Sequence, residues 1–242
     1  MKIVTRILAV LALAAALPSF AQDTEKIKAD LKKKFPDAQI ETVRKAGYGN
    51  LFEVSGAGEI FYTDEKVTFL LLGALVDTKT RENVTEARVR KLSAVQFNAL
   101  PLESAIKIVR GNGSRKVAVF EDPNCGYCKR FEKDLAEVKD VTMYVFLYPI
   151  LSPDSTQKST NVWCAADRQK AWLDLMLKDA AIPAAKCDTP IEKLLAFGRE
   201  KRITGTPTIF FEDGERVPGA MPREAFEKRL ADAAAAAKAV KP

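Results

Sequence analysis

The stretch from Lys116 to Val138 constrains the fold more than any other. It holds an apolar run, Val117-Ala118-Val119-Phe120, then Glu-Asp-Pro-Asn, then Cys125-Gly126-Tyr127-Cys128. A short β-branched and aromatic run reads as a buried strand. Beyond Cys125, Cys128, Phe131, Leu135 and Val138 fall at spacings of three, four and three, one side of an α-helix. Pro123 and Asn124 suit the turn between them. The two cysteines therefore lie where a strand becomes the first turn of a helix. Backbone N–H groups there lack internal partners, and the helix dipole adds partial positive charge. A thiolate at Cys125 is expected to gain from both, with a pKa well below the free value of roughly 8.5. Lys129 and Arg130 add positive charge nearby. Cys128, one turn deeper, is close enough for a small disulfide. The pattern predicts an exposed nucleophilic sulfur at Cys125 and a buried resolving thiol at Cys128.

The chain has 242 residues, enough for two domains, and its 47% hydrophobic content supports a real core. Lys2 and Arg6 precede an apolar stretch, Ile7 to Leu17, and Ser19-Phe20-Ala21 has the small-x-small form of a cleavage site. Residues 1–21 read as a secretory signal peptide cut after Ala21. The formal charge is +6; without Lys2 and Arg6 it is +4 and dispersed. No basic strip with interleaved aromatics marks a nucleic-acid surface. All four cysteines follow the signal, and an exported chain permits disulfides. Four can pair in three ways; proximity suggests Cys125 with Cys128 and Cys164 with Cys187. The sequence has no histidine, which excludes His-based triads and His metal ligands. No metal site or cofactor is expected.

Residues 23–34 read as an amphipathic helix around Ile27 and Leu31. Ile40–Val43, Leu51–Val54, Ile60–Thr63 and Val67–Leu72 read as strands, the last two joined by a tight turn at Asp64-Glu65. Alternation at Val67, Phe69 and Leu71 predicts one buried face. Such a unit of about 60 residues folds alone only marginally, and an apolar edge strand needs cover; both favour a second subunit there. Thr80 to Phe97 is charge-rich and reads as an exposed linker helix, with the domain boundary at residues 80–100. Leu102–Val109 is expected to be a short helix and Val141–Tyr148 a strand. Lys158–Lys178 is expected to be one helix carrying Trp163 and Trp172 in the core. Thr189-Pro190-Ile191-Glu192 reads as a capping box opening a helix to about Arg202. A hairpin at Thr208–Val217 and a final helix from Pro222 complete an α/β domain with a mixed sheet.

A lone CxxC is ambiguous among half a zinc site, an inert bridge and a redox couple. The strand-to-helix context and the export signal favour redox chemistry. Thr204-Gly205-Thr206-Pro207 directly before a strand adds to this, because proline suits a strand start and a cis bond there would expose the Thr206 backbone. Strand–CxxC–helix followed by Thr-Pro–strand is the thioredoxin-fold pattern. With the second cysteine pair, the small N-terminal unit and the linker helix, the chain resembles the bacterial periplasmic disulfide isomerases of the DsbC type over essentially everything after residue 21.

That resemblance implies a thioredoxin-like fold with a helical insertion at residues 101–242. A cystatin-like α+β dimerisation domain at 22–80 and a linker helix at 81–100 precede it. It implies a V-shaped homodimer whose uncharged cleft binds misfolded, disulfide-containing exported proteins, giving chaperone activity. Cys125 attacks a wrong disulfide and Cys128 can resolve the mixed disulfide. Gly126, Tyr127, Thr206 and Pro207 contact substrate, and a membrane reductase of the DsbD type keeps the pair reduced. Cys164–Cys187 matches the family's structural bridge, worth roughly 3 kcal/mol in the chain-entropy model. A DsbG-like reductase, a dithiol oxidase and a holdase without exchange activity are the competing readings. The residue after the motif, often His in the family, is Lys129 here. The acid that thioredoxin carries six residues before its first cysteine falls on Val119. Glu121 and Asp122 lie close by; either could take a proton from Cys128, or serve only in the loop.

Overall fold

The structure is a computed structural model that describes residues 19–240. Most of the expected signal peptide, residues 1–18, lies outside the described residues. The chain divides into two compact units between Thr85 and Glu86.

In the first unit, helix α1 (Ser19–Lys34) buries Ile27 and Leu31 against Ile40, Phe52, Val54 and Val67. Strands β1 (Thr42–Lys45), β2 (Phe52–Gly56) and β3 (Glu59–Thr63) form an antiparallel sheet in that order. Ala57 and Gly58 both have positive φ, the conformation of a two-residue hairpin turn, and Gly56 pairs with Glu59 across it. The expected strand at Val67–Leu72 is not a strand. Asp64 takes the Thr68 N–H at 2.7 Å and the Thr68 hydroxyl at 2.6 Å, and Val67 turns to φ 52°. Only Leu71 pairs with β3, opposite Tyr62. The expected buried face is therefore reduced to Val67, while Phe69, Leu70, Leu71 and Leu72 are exposed, Leu72 at 79%.

Helix α2 (Val84–Leu92) follows, with no buried residue and an ion pair between Glu86 and Arg90 one turn apart. It is shorter than the charge-rich stretch suggested; a 3₁₀ turn at Phe97–Ala99 ends that region.

The second unit is built on a five-stranded sheet in the order β4-β6-β5-β7-β8. The strands are β4 (Ile106–Arg110), β5 (Arg115–Glu121), β6 (Val141–Leu147), β7 (Thr208–Phe211) and β8 (Arg216–Pro218). β5 and β6 are parallel and the other neighbours antiparallel. The expected helix at Leu102–Val109 is instead a 3₁₀ turn, Leu102–Ser104, followed by β4. Ile106 and Ile108 point inward while Lys107 and Val109 face solvent, the period of two that edge pairing with β6 imposes.

Central strands alternate between two apolar layers. Val117, Val119, Ile209 and Phe211 join α3 (Gly126–Leu135), α5 (Arg168–Lys178) and α7 (Arg223–Val240) on one side. Ala118, Phe120 and Phe210 join α6 (Ile191–Glu200) on the other. The helix expected over Lys158–Lys178 is two helices, α4 (Pro153–Trp163) and α5. Asp167, in extended backbone, uses its carboxylate to accept the Lys170 N–H, which restarts the chain as a new helix. Pro153 opens α4 under a Ser152 cap. Trp163 and Trp172 are buried as expected. The capping box expected at Thr189 does not form; Pro190 itself is the N-cap, so the hydroxyl lies one residue too far out.

Candidate active site

The turn after β5 is held from below by Asp122. Its Oδ1 accepts the Asn124 N–H at 2.8 Å and the Ser155 hydroxyl at 2.7 Å, and its Oδ2 accepts the Leu151 N–H at 2.9 Å. Asn124 ties the same turn to α4 by donating to Asp154 and Ser155 and accepting from Lys158. The chain therefore reaches Cys125 in extended backbone as the N-cap of α3.

The Cys125 Sγ accepts the Cys128 backbone N–H at 3.3 Å and donates to the Thr206 carbonyl, also at 3.3 Å. A sulfur in that place satisfies a helix N–H that would otherwise lack a partner. The Thr206–Pro207 peptide is cis. The Thr206 hydroxyl has no hydrogen-bond partner among the described residues. Cys125 is less open than the sequence suggested: it is 5% exposed because the Thr206 loop lies over it, against 0% for Cys128. Both are free thiols, whereas Cys164 and Cys187 are joined in a disulfide.

Gly126 has open space above its Cα and Tyr127 is 64% exposed, so the dipeptide between the cysteines forms an outward-facing surface. The positive charges expected near Cys125 are engaged elsewhere. Lys129 forms an ion pair with Asp179, and the Arg130 guanidinium lies 4.6 Å over the Tyr127 ring.

Beneath Cys128 are two groups that sequence reasoning did not bring together. Glu121, the last residue of β5, and Glu132, on α3, are both fully buried, and Trp172 of α5 donates its indole N–H to Glu132 Oε1 at 2.7 Å. Burial first, then the charge of Glu132 and the hydrogen bond with it, hold the Glu121 carboxyl well above the usual carboxylate range. Burial likewise pushes the Cys128 thiol far up, with the charge of Glu121 and the hydrogen bond with Cys125 adding to it. Glu132 was missed although its spacing was readable: four residues after Cys128, it lies on the same inward face.

Two domain families match the chain, a thioredoxin-like domain over residues 102–234 and the disulfide bond isomerase protein N-terminal domain over residues 18–86. The Bordetella parapertussis "probable thiol:disulfide interchange protein DsbC" is 50% identical over 204 residues, covering 84% of this chain and 73% of that protein. The chain belongs to the DsbC family. DsbC of Escherichia coli strain K12 is 28% identical over 226 residues, covering 90% of this chain and 92% of that protein. A crystal structure of a disulfide interchange protein from Neisseria gonorrhoeae is 40% identical, with a TM-score of 0.54 over 56% of this chain and 99% of that one. Membership of the DsbC family accords with two units of different build, a helix-plus-sheet N-terminal unit and a thioredoxin-like unit carrying the cysteine pair.

Proposed function

We propose that this chain is a periplasmic thiol–disulfide isomerase that works through Cys125 and Cys128. The observation that carries the reading is the placement of Cys125 as the cap of α3, with its Sγ facing the Cys128 N–H and the Thr206 carbonyl. The Cys125 thiolate attacks one sulfur of a wrong substrate disulfide. A bond forms between Cys125 and that sulfur, and the other substrate sulfur leaves as a thiolate. A second substrate thiolate can then displace Cys125, leaving a rearranged disulfide and a free enzyme. Alternatively, the Cys128 thiolate attacks Cys125, closing the internal bridge and releasing reduced substrate. Two electrons from a membrane reductase of the DsbD type then restore the dithiol. Gly126, Tyr127, Thr206 and Pro207 line the approach to the sulfur and bind substrate backbone. Cys164–Cys187 is structural, and the chemistry uses no cofactor.

Residues 1–21 act as the export signal, cleaved after Ala21. Residues 22–80 form the dimerisation domain, 81–100 the linker and 101–242 the catalytic domain. The exposed Phe69–Leu72 segment is covered by a second copy in a homodimer, whose cleft holds misfolded exported proteins and gives chaperone activity. The test is reactivation of a substrate with scrambled disulfides, run beside sedimentation of the chain. Cys125→Ser should abolish reactivation while suppression of aggregation persists. A variant that still reactivates would refute the assignment of Cys125, and dimers that only oxidise dithiols or only reduce single thiols would favour an oxidase or a DsbG-like reductase.

A further inference from the structure

Asp179 ends α5 against two local preferences. Its backbone is left-handed, with φ 52°, a conformation that strains a side chain and that glycine usually supplies at the end of a helix. Its carboxylate also lies at the partially negative end of α5, where a cation is the favourable charge. Residues that break local rules point to a gain made elsewhere. Here the gain is Lys129 of α3, whose ammonium donates to Asp179 Oδ1 across fifty positions of chain. The hydrogen bond and charge of Lys129, then the charges of Lys133 and Lys158, hold the Asp179 carboxyl below the usual carboxylate range. The acid is therefore ionised, and the pair intact, at neutral pH. Lys129 stands one turn after Cys125, and its backbone N–H donates to the Cys125 carbonyl at 3.0 Å. Residues four apart are neighbours on a helix surface, and long side chains lean back towards the helix N-terminus. The other cations of this region are matched too: Arg130 lies over the Tyr127 ring, and Lys158 pairs with Asp154 and donates to Asn124.

We propose that Asp179 is a positioning residue that sets the redox poise of the Cys125–Cys128 couple by withholding the charge of Lys129 from Cys125. The inference rests on the reading of Cys125 and Cys128 as the redox couple. A free cation one turn from a thiolate stabilises it. That stabilisation favours the reduced pair, and it also makes the sulfur a weaker nucleophile and a better leaving group. With Lys129 held by Asp179, Cys125 keeps its power to attack. Its mixed disulfide with a client then persists long enough for a second client thiolate to displace it. With Lys129 released, the closed bridge is reduced more readily and the mixed disulfide breaks sooner. The size of the effect is bounded by exposure: the Asp179 side chain is 72% exposed, so the pair is screened by salt and acts over a modest range.

The test equilibrates the full chain with mixtures of glutathione and its disulfide at neutral pH and low salt. Two glutathione thiols are oxidised to one glutathione disulfide as the Cys125–Cys128 bond breaks and both thiols regain their protons. Alkylation followed by mass analysis of the peptide carrying Cys125 and Cys128 gives the fraction bridged. Asp179→Asn should shift the equilibrium towards the dithiol by about fivefold, a rise of about 20 mV in reduction potential. Asp179→Gly should give the same shift, although glycine relieves the left-handed backbone and should raise the stability of the unit in urea. A role in folding alone would move stability and leave the potential in place. In a Lys129→Gln background, Asp179→Asn should have no effect, and in about 0.5 M salt the difference between wild type and Asp179→Asn should largely vanish. Equal equilibrium constants for wild type, Asp179→Asn and Asp179→Gly would overturn the proposal, as would an undiminished shift in the Lys129→Gln background. A chain that forms no Cys125–Cys128 bridge at any glutathione ratio would refute the redox-couple reading instead, so the two ideas fail separately.

Discussion

Removing the Cys164–Cys187 bridge gives a calculable loss of stability. The bridge spans 23 positions. The chain-entropy relation assigns such a loop roughly 3.4 kcal/mol of destabilisation of the unfolded state. Inside the loop lies α5, whose Trp172, Leu175 and Met176 are buried and which packs on α3 and β4, so the folded unit retains its packing without the bridge. The loss should therefore arise almost wholly in the unfolded chain. The assay is urea unfolding of Cys164→Ser/Cys187→Ser against the bridged protein, both carrying Cys125→Ala and Cys128→Ala so that the bridge is the only redox variable. Both tryptophans of the sequence, Trp163 and Trp172, lie in the second unit, so intrinsic emission reports on that unit alone. With a slope of about 2–3 kcal/mol per molar urea, the midpoint should fall by roughly 1–2 M. The slope itself should rise slightly as the unfolded chain expands. A midpoint shift under about 0.3 M would refute the entropic account. So would loss of native amide protection confined to α5, because the bridge would then be holding the folded state together.

Three further outcomes are expected. Because the Glu121 carboxyl is held above its unfolded value, its contribution to stability is complete below about pH 4.5 and is lost as pH rises towards the folded value. The unfolding free energy of the wild type should thus fall with rising pH, by up to about 1.4 kcal/mol per pH unit; Glu121→Gln should lack that slope. Gly198→Ala would drive a methyl into the Tyr148 phenol, which donates to the Ile203 carbonyl at 3.0 Å. Overpacking plus the strained hydrogen bond should cost about 2–4 kcal/mol by urea titration, and a loss under about 0.5 kcal/mol would contradict this packing. Leu72→Glu, on the most exposed large apolar side chain among the described residues of the first unit, should shift sedimentation from dimer to monomer at micromolar concentration while exchange of Cys125 with a small aromatic disulfide continues.

Where local chemistry and tertiary context agreed, the sequence could be read directly. Val117–Phe120 is a strand, Cys125 starts a helix, and Phe226 and Leu230 face inward because their spacing leaves one solution. The errors fall where a neighbour decides. Ile106–Arg110 is too short to display its alternation and becomes a strand only because β6 offers an edge. The break between α4 and α5 depends on one Asp167 carboxylate capturing a backbone N–H, a choice invisible in residues that all favour helix. Asp64 does the same to the stretch after β3. At the site, the cysteines and the Thr-Pro corner were legible from motif and position, whereas the second acid was not. Spacing puts Glu132 on the inward face with Cys128, but its buried partner, the indole of Trp172, lies forty positions away and shows only in the fold.

On the proposed role of Cys125 as the reacting sulfur, that sulfur is also the cap of α3. The sulfur proposed to take up a client is the same one that seats the amide of Cys128. Once the sulfur is tied to a client it carries no charge and binds that amide less well, so capture loosens the first turn and departure tightens it again. The scaffold thus carries its own restoring force against adducts that overstay, and amide exchange at Cys128 should track occupancy of the enzyme without any label on the substrate.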